Sequence, residues 1–140
     1  MEIDEIIEHA AQVLRALPEM ADVPVIEVHK GNAFNKLQIA VAKTCFAVLV
    51  GWNGFRARSN SSRTIVGDTN LVIEVYEKPV VNQKDGPRLL PAARLIANAV
   101  NLSQPAGQSP IVFREISTVM EPSPGVISTN VTFDVSNSTL

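Results

Sequence analysis

The sequence predicts an α+β fold: a mostly antiparallel sheet of about four to five strands, with two helices packed on one face. Three observations carry that expectation. Apolar residues recur at helical three-four spacing at the start of the chain and again after residue 88. Two segments, NLVIEVYEKP and VISTNVTFDVS, alternate apolar and polar side chains with the period of a strand. Clusters of Pro, Gly, Asn and Ser separate these segments and read as turns.

The opening helix places Ile3, Ile6, Ile7, Ala10, Leu14 and Leu17 on one face. Glu2, Asp4, Glu5 and Glu8 lie off that face, where early acids favour the positive end of the helix dipole, and Pro18 stops the helix. VPVIEVHKG, from Val23 to Gly31, reads as a short strand, with Pro24 indicating an edge or a strand start. The run LQIAVAKTCFAVLV is ambiguous in its first half, which suits helix or strand, and reads as strand from about Thr44 to Val50. Gly51 and the Asn53-Gly54 pair then predict a turn, and Phe55 to Arg63 a long polar, basic loop or mobile hairpin tip.

Thr64 to Tyr76 is the clearest strand, with Leu71, Ile73 and Val75 on one side and Val72, Glu74 and Tyr76 on the other. VVNQKDGP follows as a connector. Leu89, Ala93, Ile96 and Val100 predict a second helix from about Arg88, with Pro91 confined to its first turn. Ile111 to Met120 and Val126 to Ser136 flank an EPSPG turn and predict a terminal hairpin. In its second strand Ile127, Thr129, Val131, Phe133 and Val135 face the core, while Ser128, Asn130, Thr132, Asp134 and Ser136 face water or a partner.

The chain has 140 residues, suited to a single domain over 1–140. With 46% hydrophobic and 19% charged residues, it can fill a core burying roughly 68% of its unfolded surface. A net charge of −2 argues against the broad positive field of a nucleic-acid binder. No sequence-specific nucleic acid is expected as partner. The acidic start lacks the pattern of an export signal, and the most apolar run, Leu37 to Trp52, carries Lys43 and falls short of the ~20 residues of a bilayer crossing. No membrane partner is expected, and Cys45, the single cysteine, suits a reducing compartment.

Gly-x-Ser-x-Gly, His-Glu-x-x-His and Walker-type patterns do not occur, so neither catalytic residues, nor a metal site, nor a cofactor is expected. His9 and His29 read as rim residues, Cys45 as a buried inert thiol, and Glu74 and Glu77 as solvated carboxylates facing opposite ways. Trp52 and Phe55 flank the Asn-Gly turn, where aromatics either cap the core or anchor a partner. Arg56, Arg58 and Arg63 form the strongest local charge feature, with no acid until Asp68. That run is either a solvated loop or a basic finger for an acidic surface or phosphate backbone in an assembly. These five residues are the candidate protein-interaction site.

The arrangement resembles the tail-terminator, or tail-completion, proteins of long-tailed bacteriophages, the minor tail proteins of the lambda U type and their relatives in Mu-like phages and prophages. The likeness lies in MEIDEIIEHAAQVLRALP, in TNLVIEVYEKP followed by LLPAARLIANAVN, in PGVISTNVTFDVS, and in FAVLVGWNG before the basic stretch. The resemblance implies a non-catalytic homo-oligomer, a hexameric ring seated on the tail tube protein. Such a ring ends tube polymerisation and gives the head-tail connector protein a docking surface. It implies assembly in the host cytoplasm and residence in the virion tail. The competing readings are a small-ligand binding module or small enzyme using Glu27, His29 and nearby arginines at a sheet edge, and another phage neck or connector protein.

Overall fold

In the computed structural model, residues 2–59, 63–79, 88–104 and 109–140 are described. Helix α1 spans Ile3–Arg15 and buries Ile3, Ile6, Ile7, Ala10 and Leu14 as their spacing predicts, together with Ala11, whereas Leu17 lies past the helix end and packs half-buried against the same core. The Glu5 carboxylate accepts the Glu2 amide at 3.0 Å, satisfying a donor at the helix start. The chain leaves the helix at Ala16, and Pro18 opens a short 3-10 turn.

Strand β1, Val25–Glu27, follows Pro24 and forms one edge of the sheet. A 3-10 turn over Val28–Lys30 leads through Gly31 and Asn32, both with positive φ, into α2, Ala33–Thr44. Here the ambiguous apolar run resolves as helix in its first half. The reason is topological: β1 pairs parallel with β2, Phe46–Ser59, and a parallel pair needs a crossover connection, which α2 supplies. Cys45 is the left-handed residue at the end of that helix, φ 63°, and is half-buried instead of lying inside a strand.

The Asn53-Gly54 turn and the loop from Phe55 are corrected: β2 runs on to Ser59, antiparallel to β3, Val66–Glu77. Between Trp52↔Leu71 and Phe55↔Thr69, β2 advances by three residues while β3 advances by two, so Asn53-Gly54 forms a bulge. Gly54 takes φ 103° there, which glycine accepts without strain. The part of the expected loop at residues 60–62, and the connector at 80–87, lie outside the described residues.

Helix α3, Leu89–Val100, has Pro91 in its first turn as expected. Its N-terminus is held by Glu77, whose carboxylate accepts the Leu89 amide and pairs with Arg88, both at 3.0 Å. Glu77 is therefore a buried helix anchor, not a solvated acid. The terminal hairpin is present, with its first strand broken into β4, Ile111–Ile116, and β5, Met120–Ser123. Both pair with β6, Val126–Thr139.

Among the described residues the sheet has six strands, not four to five, in the order β1-β2-β3-β6-β4 with β5 also on β6. It is mixed, since β1-β2 is parallel and the other pairs are antiparallel. Helices α1 and α3 cover one face over Val48, Val50, Leu71, Ile73, Val75, Val131, Phe133 and Val135. The third helix, α2, packs on the opposite face over Ala47 and Leu49, with Tyr76 and Val126 beside them. Two helices on one face is thus right for α1 and α3, and incomplete for the molecule.

Candidate functional site

Past the end of α2, the second face of the sheet is open. A cleft of ≈ 690 Å³ lies there, lined by the polar ends of β2, β3, β4 and β6, with Arg56, Asp68, Asn70, Arg114, Thr132 and Asp134 among its residues. What builds it is a concentration of bulges. Arg58 is the extra residue between Ala57↔Gly67 and Ser59↔Val66, Arg114 the extra residue between Phe113↔Phe133 and Glu115↔Thr132. Asn137, φ 56°, lies in a third irregularity on β6 opposite Gly67 to Thr69. A bulge frees a residue from the ladder and re-aims its side chain. Both bulged arginines turn onto carboxylates of this face.

Arg58 holds Asp68, with Nη2 3.1 Å from Oδ1 and Nε 3.3 Å from Oδ2, and donates to Asn137 Oδ1 at 3.4 Å. Arg114 holds Asp134 at 3.2 Å. Each pair is half exposed, so each holds position more than it stabilises. Gly67 makes the crowded strand crossing feasible: a Cβ there would run into the Arg56 carbonyl and close to Ala57 Cα. Beneath, Thr69 Oγ1 and Ser138 Oγ bond at 2.6 Å in the interior, and Ser138 also donates to the Gly67 carbonyl.

The five sequence candidates separate here. Arg56 faces the cleft, opposite Asp68 in register, yet Asp68 is engaged by Arg58. Arg56 is exposed and has no hydrogen-bond or ion-pair partner among the described residues. Phe55 is half-buried and caps the main core, whereas Trp52, opposite Leu71, stays 43% exposed at its rim. Arg63 lies exposed beyond β2. The basic run is therefore not one finger: Arg56 and Arg58 belong to a strand, and Arg58 is neutralised. Sequence reasoning missed Arg114 and gave Asp68 no role. Besides Arg56 and Arg58, the off-core register of Thr132 and Asp134 pointed to this surface.

No family model and no curated protein sequence matches this chain. Its surfaces are therefore read from their own geometry.

At the opposite side of the sheet, Glu27, His29 and an arginine do come together. The Glu27 side chain is fully buried, with Arg15 at 2.8 Å, Lys30 at 3.1 Å and His29 Nε2 at 3.7 Å. Burial opposes its ionisation, but the hydrogen bonds and charges of Arg15 and Lys30 outweigh this and hold its carboxyl below the usual range. The cluster clasps the end of α1 to the edge strand. His9 sits elsewhere, its Nε2 3.3 Å from Ser103 Oγ, with its pKa lowered by burial. Among the described residues no group of three or more His, Cys, Asp or Glu is placed to hold a metal ion, and no helix is long and apolar enough to cross a membrane.

The sheet edges are partly closed by the chain itself. Arg15 donates to the Val25 carbonyl at 2.8 Å on the β1 edge. On the β4 edge, Ile111 bonds to Leu102 and Ser103 through both backbone groups, and Asn101 Oδ1 accepts the Phe113 amide at 2.9 Å. Occupied edge groups blunt strand addition.

Proposed function

We propose that this chain is a structural phage or prophage tail-assembly protein that caps the tail tube as a ring, ends tube polymerisation and offers the head connector its surface. The reading requires no catalysis. Its partners are other copies of the chain, with six closing the ring, the tail tube protein and the head-tail connector protein, with host cytoplasm and then virion tail as its places.

The observation that carries the reading is the open, bulged end of the sheet, where Arg56, without a partner among the described residues, shares a cleft with residues of two arginine-carboxylate pairs. A polar face of this kind fits a contact formed between already folded partners during assembly, since charge complementarity sets register and partner choice. The segments behind the resemblance support it too. α1 and α3 lie together over β3 and β6, so the opening helix, the strand-helix unit and the closing strand share one packed core. The blunted edges favour face contacts over strand addition between copies.

The test is the solution mass by light scattering across a concentration series, with the same sample viewed by negative stain. Closed rings of about six subunits, near 90 kDa for a 15.1 kDa chain, are the expected result. A monomer at every concentration, which also fails to bind tail tube, overturns the reading.

A further inference from the structure

A second surface lies at the α2 end of the same face and has the opposite character. Because α2 covers the β1–β2 side and the β5–β6 hairpin stands on the other, a groove of ≈ 330 Å³ remains between them. Phe34, Leu37 and Val41 of α2 form one wall, Val126 helps form the other, and the Tyr76 ring lies between. Leu37 and Val41 are buried in the α2 wall, and Phe34 is 68% exposed. The volume falls at the lower end of the range of small-molecule sites, which are mostly apolar with a few placed polar groups.

The polar group that decides what fits is Lys78. It lines the groove, is half-buried, and has no acidic partner among the described residues. Glu77, the acid beside it in the chain, is buried and holds Arg88 and the Leu89 amide, and Glu74, two residues before Tyr76, accepts the Tyr76 hydroxyl at 2.6 Å. A lone ammonium at the side of an apolar groove is complemented by one carboxylate carried on a hydrocarbon or aromatic body. We propose that this groove is a binding site for an amphiphilic monocarboxylate, its apolar body between α2 and the β5–β6 hairpin and its carboxylate on Lys78 Nζ. The site is separate from the polar cleft and does not depend on the ring.

Decanoate, kept below its micelle-forming concentration, is the probe, followed by amide chemical shifts of the labelled full chain. Saturable shifts confined to α2, Tyr76 to Lys78 and the β5–β6 hairpin are expected. Lys78→Gln should weaken decanoate binding roughly tenfold or more, the size of a lost charged hydrogen bond, and decanol should bind the wild type no better than decanoate binds that variant. Val126→Trp, checked for native circular dichroism, should block the groove. Absence of saturation, shifts mapping to another surface, or unchanged affinity in Lys78→Gln would each overturn the proposal. Equal binding of decanol and decanoate would do so as well, leaving a plain apolar seat for a partner's side chain.

Discussion

The two faces of the sheet are made by the same strands, yet they are specified in different ways. On the α1/α3 face, Val48, Val50, Ile73, Val75, Val131 and Phe133 are buried in regular register. Their burial follows from alternation alone, because a one-residue slip would expose the whole set. On the opposite face, the exposed end depends on the bulges at Asn53-Gly54, Arg58 and Arg114 and on the irregularity at Asn137. Burial builds the first face and irregularity the second. The covered face should therefore govern stability, and the open end association.

The largest effect expected of a single change separates these roles. Phe133 is fully buried and meets Phe113 edge-on at 5.9 Å. Phe133→Ala should cost about 3–5 kcal/mol in urea unfolding, through lost burial and the cavity left behind. A loss below about 1 kcal/mol would show that the α1/α3 face does not carry the fold.

Next in size is Gly67→Ala. The added methyl meets backbone, which cannot rotate away, so a cost of about 1–3 kcal/mol is expected from overpacking. Thermal unfolding indistinguishable from wild type would mean that the β2–β3 crossing is looser than described.

The Glu27 clasp gives a test by pH. Its folded carboxyl has a lowered pKa, so its contribution is fully present above the unfolded value of about 4.3 and is lost as pH falls through the lower folded one. Stability curves of wild type and Glu27→Gln should stay apart above about pH 4.3 and converge below it. A gap that does not change with pH would remove the ion pairs from the account.

Arg58→Ala should give a smaller stability change than any of these. With Arg58 and Asp68 side chains 53% and 37% exposed, the loss should stay within about 1 kcal/mol. A larger destabilisation would make the open end part of the fold's foundation and would erase the contrast between the faces.

How far each face was legible in the sequence follows the same division. Ile3 to Leu14, Leu71 to Val75 and Val131 to Val135 announce their burial through period alone, and the structure places them in one core. Pro91 and the α3 start were legible because proline tolerates only the first turn. The helix at Ala33–Thr44 was not, since a short apolar run has no decisive period and only the parallel β1–β2 pairing requires a crossover there. Asn53-Gly54 carries the composition of a turn, and nothing local reveals that β3 keeps pairing beyond it. Glu77 looked solvated because its burial depends on Leu89 and Arg88, more than ten residues away. The site inherits these gaps: Arg56 and Arg58 were legible as charges, while their strand setting and the part of Arg114 depend on pairings between distant segments.

The most direct test of the account is the solution mass of Arg56→Glu beside wild type, at matched concentration and low salt. Arg56 is exposed and unpartnered among the described residues, so its reversal should cost no more than about 1 kcal/mol, the size of a like-charge pair with Asp68 across the strands, and should leave the fold intact. The account predicts a ring mass for wild type and a monomer for the variant. Identical masses for the two would contradict the placement of the assembly surface on the open, bulged end of the sheet.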